Sequence, residues 1–288
     1  MTLPQIRRAA LALAAGAAAL FTAGGTQAAV VVVNPGDVSL VPVANQWYRT
    51  NFRDVSTGRT SITTAAITTT QPRAGNGSVE MSLTDGSGKV DYAYGWGYVA
   101  GRTLANLTGL SYEWYRQGAS TNPANQQPAL RLLIDADGSA DTTNDLGYLV
   151  WEQVYQADPT VLAEQWVTSN ALTGNFWQRR FSPGTTVEVY DLSLQEWLAG
   201  ANPAGALVLG QSTAVLGLEF GIGSGWEGSF RGFVDNVTYA FGTLPSTTFN
   251  FETVATRVPE PAGLALAGLA LVGLAAGQRR RARATLSR

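Results

Sequence analysis

The stretch DYAYGWGYVA, residues 91–100, decides the class of fold. Tyr92, Tyr94, Trp96 and Tyr98 share one parity, while Ala93, Gly95 and Gly97 take the other. A period of two belongs to an extended strand, whose successive side chains point to opposite faces, so four aromatic rings fall on one side. Two readings of that face stay open. Left uncovered, the flat hydroxyl-bearing rings form a platform on which sugar rings stack. Covered by another layer, they fill the core, the usual fate of large aromatics.

The same texture extends in both directions. Short runs of β-branched and aromatic residues recur between Gly, Pro, Asn and Asp punctuation, which predicts strands at 30–33, 47–53, 61–69, 77–83, 90–98 and 107–116. Further strands are expected at 129–135, 147–155, 176–181, 185–190, 213–222 and 230–241. One helix interrupts them: Ser193 caps it, Glu196 closes a capping box, and Leu194, Trp197 and Leu198 share a face. Many strands without a repeat period predict an all-β fold, a jelly-roll-like β-sandwich forming one domain over 29–252.

Five phrases carry a resemblance: LTGLSYEWYRQ at 107–117, PALRLLIDADG at 128–138, YLVWEQVY at 148–155, FRGFVDNVTYAFG at 230–242 and STTFNFET at 246–253. Together they resemble a group of secreted bacterial jelly-roll proteins in which a Val-Asp-Asn-Val strand completes the sandwich. The resemblance spans most of 34–252 and implies the fold; the group has no agreed activity.

Both ends of the chain read as addresses. Arg7 and Arg8 precede an apolar run at 9–21, and Thr26 and Ala28 sit at −3 and −1 of a cut before Ala29. That is the order of a secretory signal peptide, which assigns 1–28 to a helix removed by signal peptidase. At the other end, residues 262–277 carry no charge and would rise about 24 Å as a helix, against roughly 30 Å of bilayer hydrocarbon. Stems of Arg279, Arg280, Arg281 and Arg283 can snorkel to cover the shortfall, and their charge keeps that side cytoplasmic. A linker at 253–258 leads into this segment.

Val258, Pro259, Glu260 and Pro261, followed by the short apolar helix and the arginine-rich end, resemble the PEP-CTERM sorting tail of Gram-negative bacteria. The resemblance covers about the last 30 residues, 259–288, including a transmembrane helix at 262–277. It implies a precursor anchored in the inner membrane, recognised at Pro-Glu-Pro by a membrane-embedded exosortase that removes the helix. It further implies a host that makes exopolysaccharide, and release to the cell surface or extracellular matrix.

Composition narrows the chemistry. Between the two signals, residues 29–258 hold 12 basic against 20 acidic groups, a formal charge of −8 that repels phosphate backbones and argues against nucleic-acid binding. The chain has no histidine and no cysteine, which excludes Ser-His-Asp triads, thiol nucleophiles and His- or Cys-ligated zinc. Carboxylate, tyrosine and arginine chemistry remain.

Two acidic groupings stand out. DADGSADTTND crowds Asp135, Asp137, Asp141 and Asp145 into eleven residues, where a structural calcium would relieve their repulsion; a solvated Asx-rich turn is the alternative. Glu113, Glu152, Glu164, Glu188 and Glu219 lie in strand-like runs and could face inward, but no pair forms a motif. Asp235 and Asn236 are expected to be structural. The leading expectation is therefore an exported, non-enzymatic cell-surface or matrix protein. A glycan-binding module and a carbohydrate-active lyase or hydrolase stand as alternatives.

Overall fold

The period-two run is built as a strand, and the residues around it close a two-sheet β-sandwich. A computed structural model describes residues 28–53, 63–223 and 225–254. These form β1 (Ala29–Val33), β2 (Trp47–Arg53), β3 (Thr63–Thr68), β4 (Ser78–Leu83), β5 (Lys89–Gly95), β6 (Leu107–Arg116) and β7 (Ala129–Asp135). They continue with β8 (Leu146–Trp151), β9 (Trp166–Asn170), β10 (Trp177–Arg180), β11 (Thr185–Val187), β12 (Ala214–Gly223), β13 (Phe230–Phe241) and β14 (Thr247–Phe251). One short α-helix, α1 (Leu194–Leu198), lies between β11 and β12. The signal segment at 1–27, the motif Val258-Pro259-Glu260-Pro261, the helix at 262–277 and the tail arginines lie outside the described residues.

All twelve expected segments carry strands, several of them shorter than expected. The run at 147–155 ends as a strand at Trp151, where Tyr155 N–H turns back to Glu152 O in a 3-10 turn. The run at 90–98 ends at Gly95, because Trp96 and Gly97 both donate their N–H to Leu216 O and leave the ladder. Two strands were not expected, β9 and β14; both are short, β9 pairs with β6 more than 50 positions earlier, and β14 joins its neighbour β13 to the distant strand β1.

The first sheet is organised by β13. Along one edge it pairs with β6, which pairs with β9. Its other edge is shared end to end: β4 takes residues 230–234 and β14 takes residues 237–239. The register slips between Asp235 and Thr238, where Asn236 has a φ of 48°. Asp235, fully buried, sits at this junction and accepts N–H bonds from Phe251, Asn236 and Ala74. Its carboxylate thereby satisfies backbone donors that the divided edge leaves without a ladder partner.

The second sheet runs β11-β10-β8-β7-β12-β5-β2, with every pair antiparallel. Between the sheets, Trp47 is ringed by Tyr94, Phe220, Phe249 and Phe251 at centroid distances of 5.2–5.5 Å. The helix caps as its sequence predicts: Ser193 Oγ accepts from Glu196 N–H while the Glu196 carboxylate accepts from Ser193 N–H. Leu194 and Trp197 are buried beneath it.

Candidate functional site

The aromatic platform expected at 92–98 is closed. Tyr92 and Trp96 are buried, and Tyr94 packs against Phe249 with ring centroids 4.6 Å apart. Trp96 Nε1 is used inside the core, donating to Val215 O. Tyr94 is half-buried at the rim of a cleft it shares with Trp47, and Tyr98 is exposed at 44%, its hydroxyl donating to Asp135 Oδ2. The first sheet covers Trp96 through β13 and Tyr94 in part through β14, so Tyr92 and Trp96 are core residues and the four rings form no continuous open face.

The opposite, outer face of the second sheet is where the chemistry gathers. Strand alternation sends Leu130, Leu132, Leu149, Leu218 and Phe220 inward and Arg131, Tyr148, Val150 and Glu219 outward. The outward set lines a cleft of about 650 Å³, bounded by Trp177, Arg179 and Phe181 on one side and Lys89 and Trp226 on the other. That size is typical of a site for a small ligand.

A chain of charges paves the cleft floor. Lys89 Nζ lies 3.1 Å from Asp91 Oδ2, and Arg131 Nη1 lies 2.6 Å from Asp91 Oδ1 and 2.7 Å from Glu219 Oε1. Tyr148 Oη donates to Glu219 Oε2 at 2.8 Å, and Asn51 Nδ2 donates to Asp91 Oδ2 at 2.7 Å. Five neighbouring strands, β2, β5, β12, β7 and β8, thus contribute one network. Gly221 makes it possible: a Cβ there would overlap Asp91 Oδ1, so its absence lets the Asp91 carboxylate lean across β12 to Arg131.

Burial tunes these groups. It raises the proton affinity of Glu219 above the ordinary carboxylate range, Asp91 adds repulsion, and Arg131 offsets only part because Asp91 competes for the same guanidinium nitrogen. Burial also raises Glu152, whose Oε2 accepts from Trp177 Nε1 at 2.8 Å. The Tyr148 hydroxyl is driven up, by burial and then by Glu219, and stays a proton donor at neutral pH.

The other expected site residues are dispersed. Oxygens of Asp135, Asp137 and Asp145 lie within 4.8 Å of one another, close enough to share a cation. Asp141 is exposed and falls outside that group, which corrects the four-carboxylate calcium expectation, because Asp141 sits on the turn between the two arms of the loop. Much of the loop is already bonded as an Asx turn: Asp135 accepts from Gly138 N–H, and Asp137 accepts from Ser139 N–H and Thr142 Oγ1. Glu113 is on the other sheet, held by Arg73, Asn236 and Thr168. Glu164 accepts from the Tyr115 hydroxyl, and Glu188 is exposed. Of the five candidate glutamates, only Glu152 and Glu219 share the cleft. Sequence reasoning missed Asp91, Arg131, Tyr148, Trp177 and Arg179; the alternation Trp177-Gln178-Arg179-Arg180-Phe181 was the available signal.

No protein-family model matches this chain, and comparison with curated proteins finds no match. Among solved structures it is similar to a family 11 carbohydrate-binding module from Clostridium thermocellum in complex with a β-1,3-1,4-mixed-linked tetrasaccharide. That match has 12% identity and a TM-score of 0.35, covering 71% of this chain and 92% of that one. The family 11 module of a cellulosomal cellulase from the same organism matches at 12% identity and a TM-score of 0.33, over 70% and 91% of the two chains. A β-1,2-glucanase from Parabacteroides distasonis matches at 12% identity and a TM-score of 0.32, covering 64% of this chain and 22% of that one. Superpositions this loose carry no conclusion about activity.

Proposed function

We propose that this is an exported glycan-binding protein whose sugar site is the cleft on the outer face of the second sheet. The observation that carries the reading is the pairing of flat rings with fixed polar groups. Tyr148 and Phe181 meet edge to face with centroids 4.8 Å apart, Trp177 stands beside them, and the Lys89–Asp91–Arg131–Glu219 network lies below. A sugar has an apolar C–H face that stacks on rings and a hydroxyl rim that needs directional donors and acceptors, and both are supplied here. Delivery follows from the two terminal signals: export by the signal segment, anchoring and release through the Pro-Glu-Pro tail, and work at the cell surface or in the polysaccharide matrix.

The test is affinity electrophoresis of the full chain through gels containing the host's exopolysaccharide. Retardation is expected, with loss of most of it in Trp177→Ala. Equal migration with and without polymer overturns the reading. A hydrolase is a second reading, favoured by one observation: Glu152 and Glu219, both with raised proton affinity, line one cleft. It requires release of reducing ends from that polymer, abolished in Glu152→Gln.

A further inference from the structure

We infer that the cleft selects an anionic sugar, a uronic acid or one of similar charge, through Arg179. The inference rests on the glycan reading of the cleft and names its substrate class. Three cations line this cleft, and two are already neutralised: Lys89 by Asp91, and Arg131 by Asp91 and Glu219. Arg179 differs. Among the described residues no carboxylate pairs with it, and its one side-chain bond runs from Nη1 to Thr186 Oγ1 at 2.9 Å. Thr186 is its register partner on β11, so the hydroxyl pins one corner of the guanidinium in place. The edge formed by Nε and Nη2 remains, and a planar carboxylate fits that edge with two parallel hydrogen bonds. Gly184 keeps it accessible: even a Cβ there would come within 3.3 Å of Nη2.

The neighbours turn a free cation into a sugar site. Trp177, Arg179 and Phe181 alternate with the inward-facing Gln178 along β10 and its extension, so ring, cation and ring follow one another on one face at about 6.5–7 Å spacing. A sugar stacked on either ring brings an equatorial carboxylate to the guanidinium. The local charge agrees. The body is acidic as a whole, yet the other two cations lining this cleft are bonded to carboxylates on its floor, leaving Arg179 as the one without a carboxylate partner among the described residues. A neutral glucan has no use for that charge; a uronate does.

The experiment compares three polyuronates, alginate, polygalacturonate and polyglucuronate, each beside its carboxyl-reduced neutral form, by affinity electrophoresis of the full chain at two salt concentrations. At least one polyuronate is expected to bind about tenfold or more tightly than its reduced form, the scale of one charge-assisted bidentate contact, with the gap narrowing at high salt. Arg179→Gln should abolish the gap by weakening binding of the acidic polymer, and Arg179→Lys should keep part of it. Near-ultraviolet circular dichroism of each variant separates loss of contact from loss of fold. Equal binding of acidic and reduced forms by the wild-type chain, or an intact gap in Arg179→Gln, overturns the anionic-sugar assignment and leaves the glycan reading standing. Binding of neither form to any variant overturns both.

Discussion

Arg131 Nη1 on β7 lies 2.7 Å from Glu219 Oε1 on β12, a side-by-side pair on the outer face of a sheet whose inner face carries Leu132, Leu218 and Phe220. Asp91 approaches the same nitrogen from β5, so one guanidinium serves two buried carboxylates. Removing it leaves Glu219 without a cation and Asp91 with Lys89 alone. Arg131→Met is expected to cost about 3–5 kcal/mol, whereas combining it with Glu219→Gln, which leaves Asp91 paired with Lys89, should recover most of that loss. Urea unfolding monitored by tryptophan fluorescence checks this; a single variant as stable as the combination would show that the network is solvated rather than buried.

Gly221 is the steric partner of that network. Its Cβ would occupy the space of Asp91 Oδ1 and come within 2.7 Å of Val90 O. Gly221→Ala is expected to lower stability by roughly 1–3 kcal/mol, the usual cost of overpacking, and to weaken glycan binding by displacing Asp91. Gly95→Ala is the control, since no atom lies within 4 Å of a Cβ there. Equal melting temperatures for the two variants would contradict the argument.

Stability should fall as pH rises from 5 to 8. Burial lifts Asp235 from its ordinary value to about 7, and Glu219 and Glu152 are raised by the same cause. In that window the folded chain holds protons that the unfolded chain has released, so unfolding gives up protons and is favoured by alkali. The loss at Asp235 alone is on the order of a few kcal/mol. Glu80 and Glu113 are held below their ordinary values, so their contribution is lost only at lower pH and does not reverse the trend. Calorimetry at pH 5 and pH 8 reads the difference, and a higher melting temperature at pH 8 would refute it.

Replacing Pro259, Glu260 and Pro261 by alanine should trap the chain in the inner membrane of a host carrying an exosortase. The wild-type chain should appear as a shorter, released species and the variant as a longer, membrane-bound one. The same mass and location for both would dispose of the sorting reading.

Local signals in the chain specify much of the fold. The parity of Tyr92, Tyr94 and Trp96 identifies a strand, and the four segments 47–53, 107–116, 129–135 and 230–241 match β2, β6, β7 and β13 end to end. The Ser193–Glu196 box locates the helix. Side-chain alternation and capping both depend on residues a few positions apart, which is why they can be read along the chain. β14 escapes because Thr247–Phe251 is held by β13 on one side and by the parallel strand β1, more than 200 positions away, on the other.

The site is legible only in fragments. Glu152 and Glu219 are among the candidates, but nothing in their spacing, 67 positions, sets them apart from Glu113 or Glu164. By itself the sequence determined the β class, the helix cap and the acidic body without histidine or cysteine, because each follows from composition or short-range periodicity. Tertiary structure alone decided which face of DYAYGWGYVA is covered, and that Asp91, Arg131, Tyr148 and Glu219 meet. The reason is physical: a strand's alternation says which residues share a face, but only the packing of the opposing sheet says which face meets water, and only strand order brings four distant segments side by side.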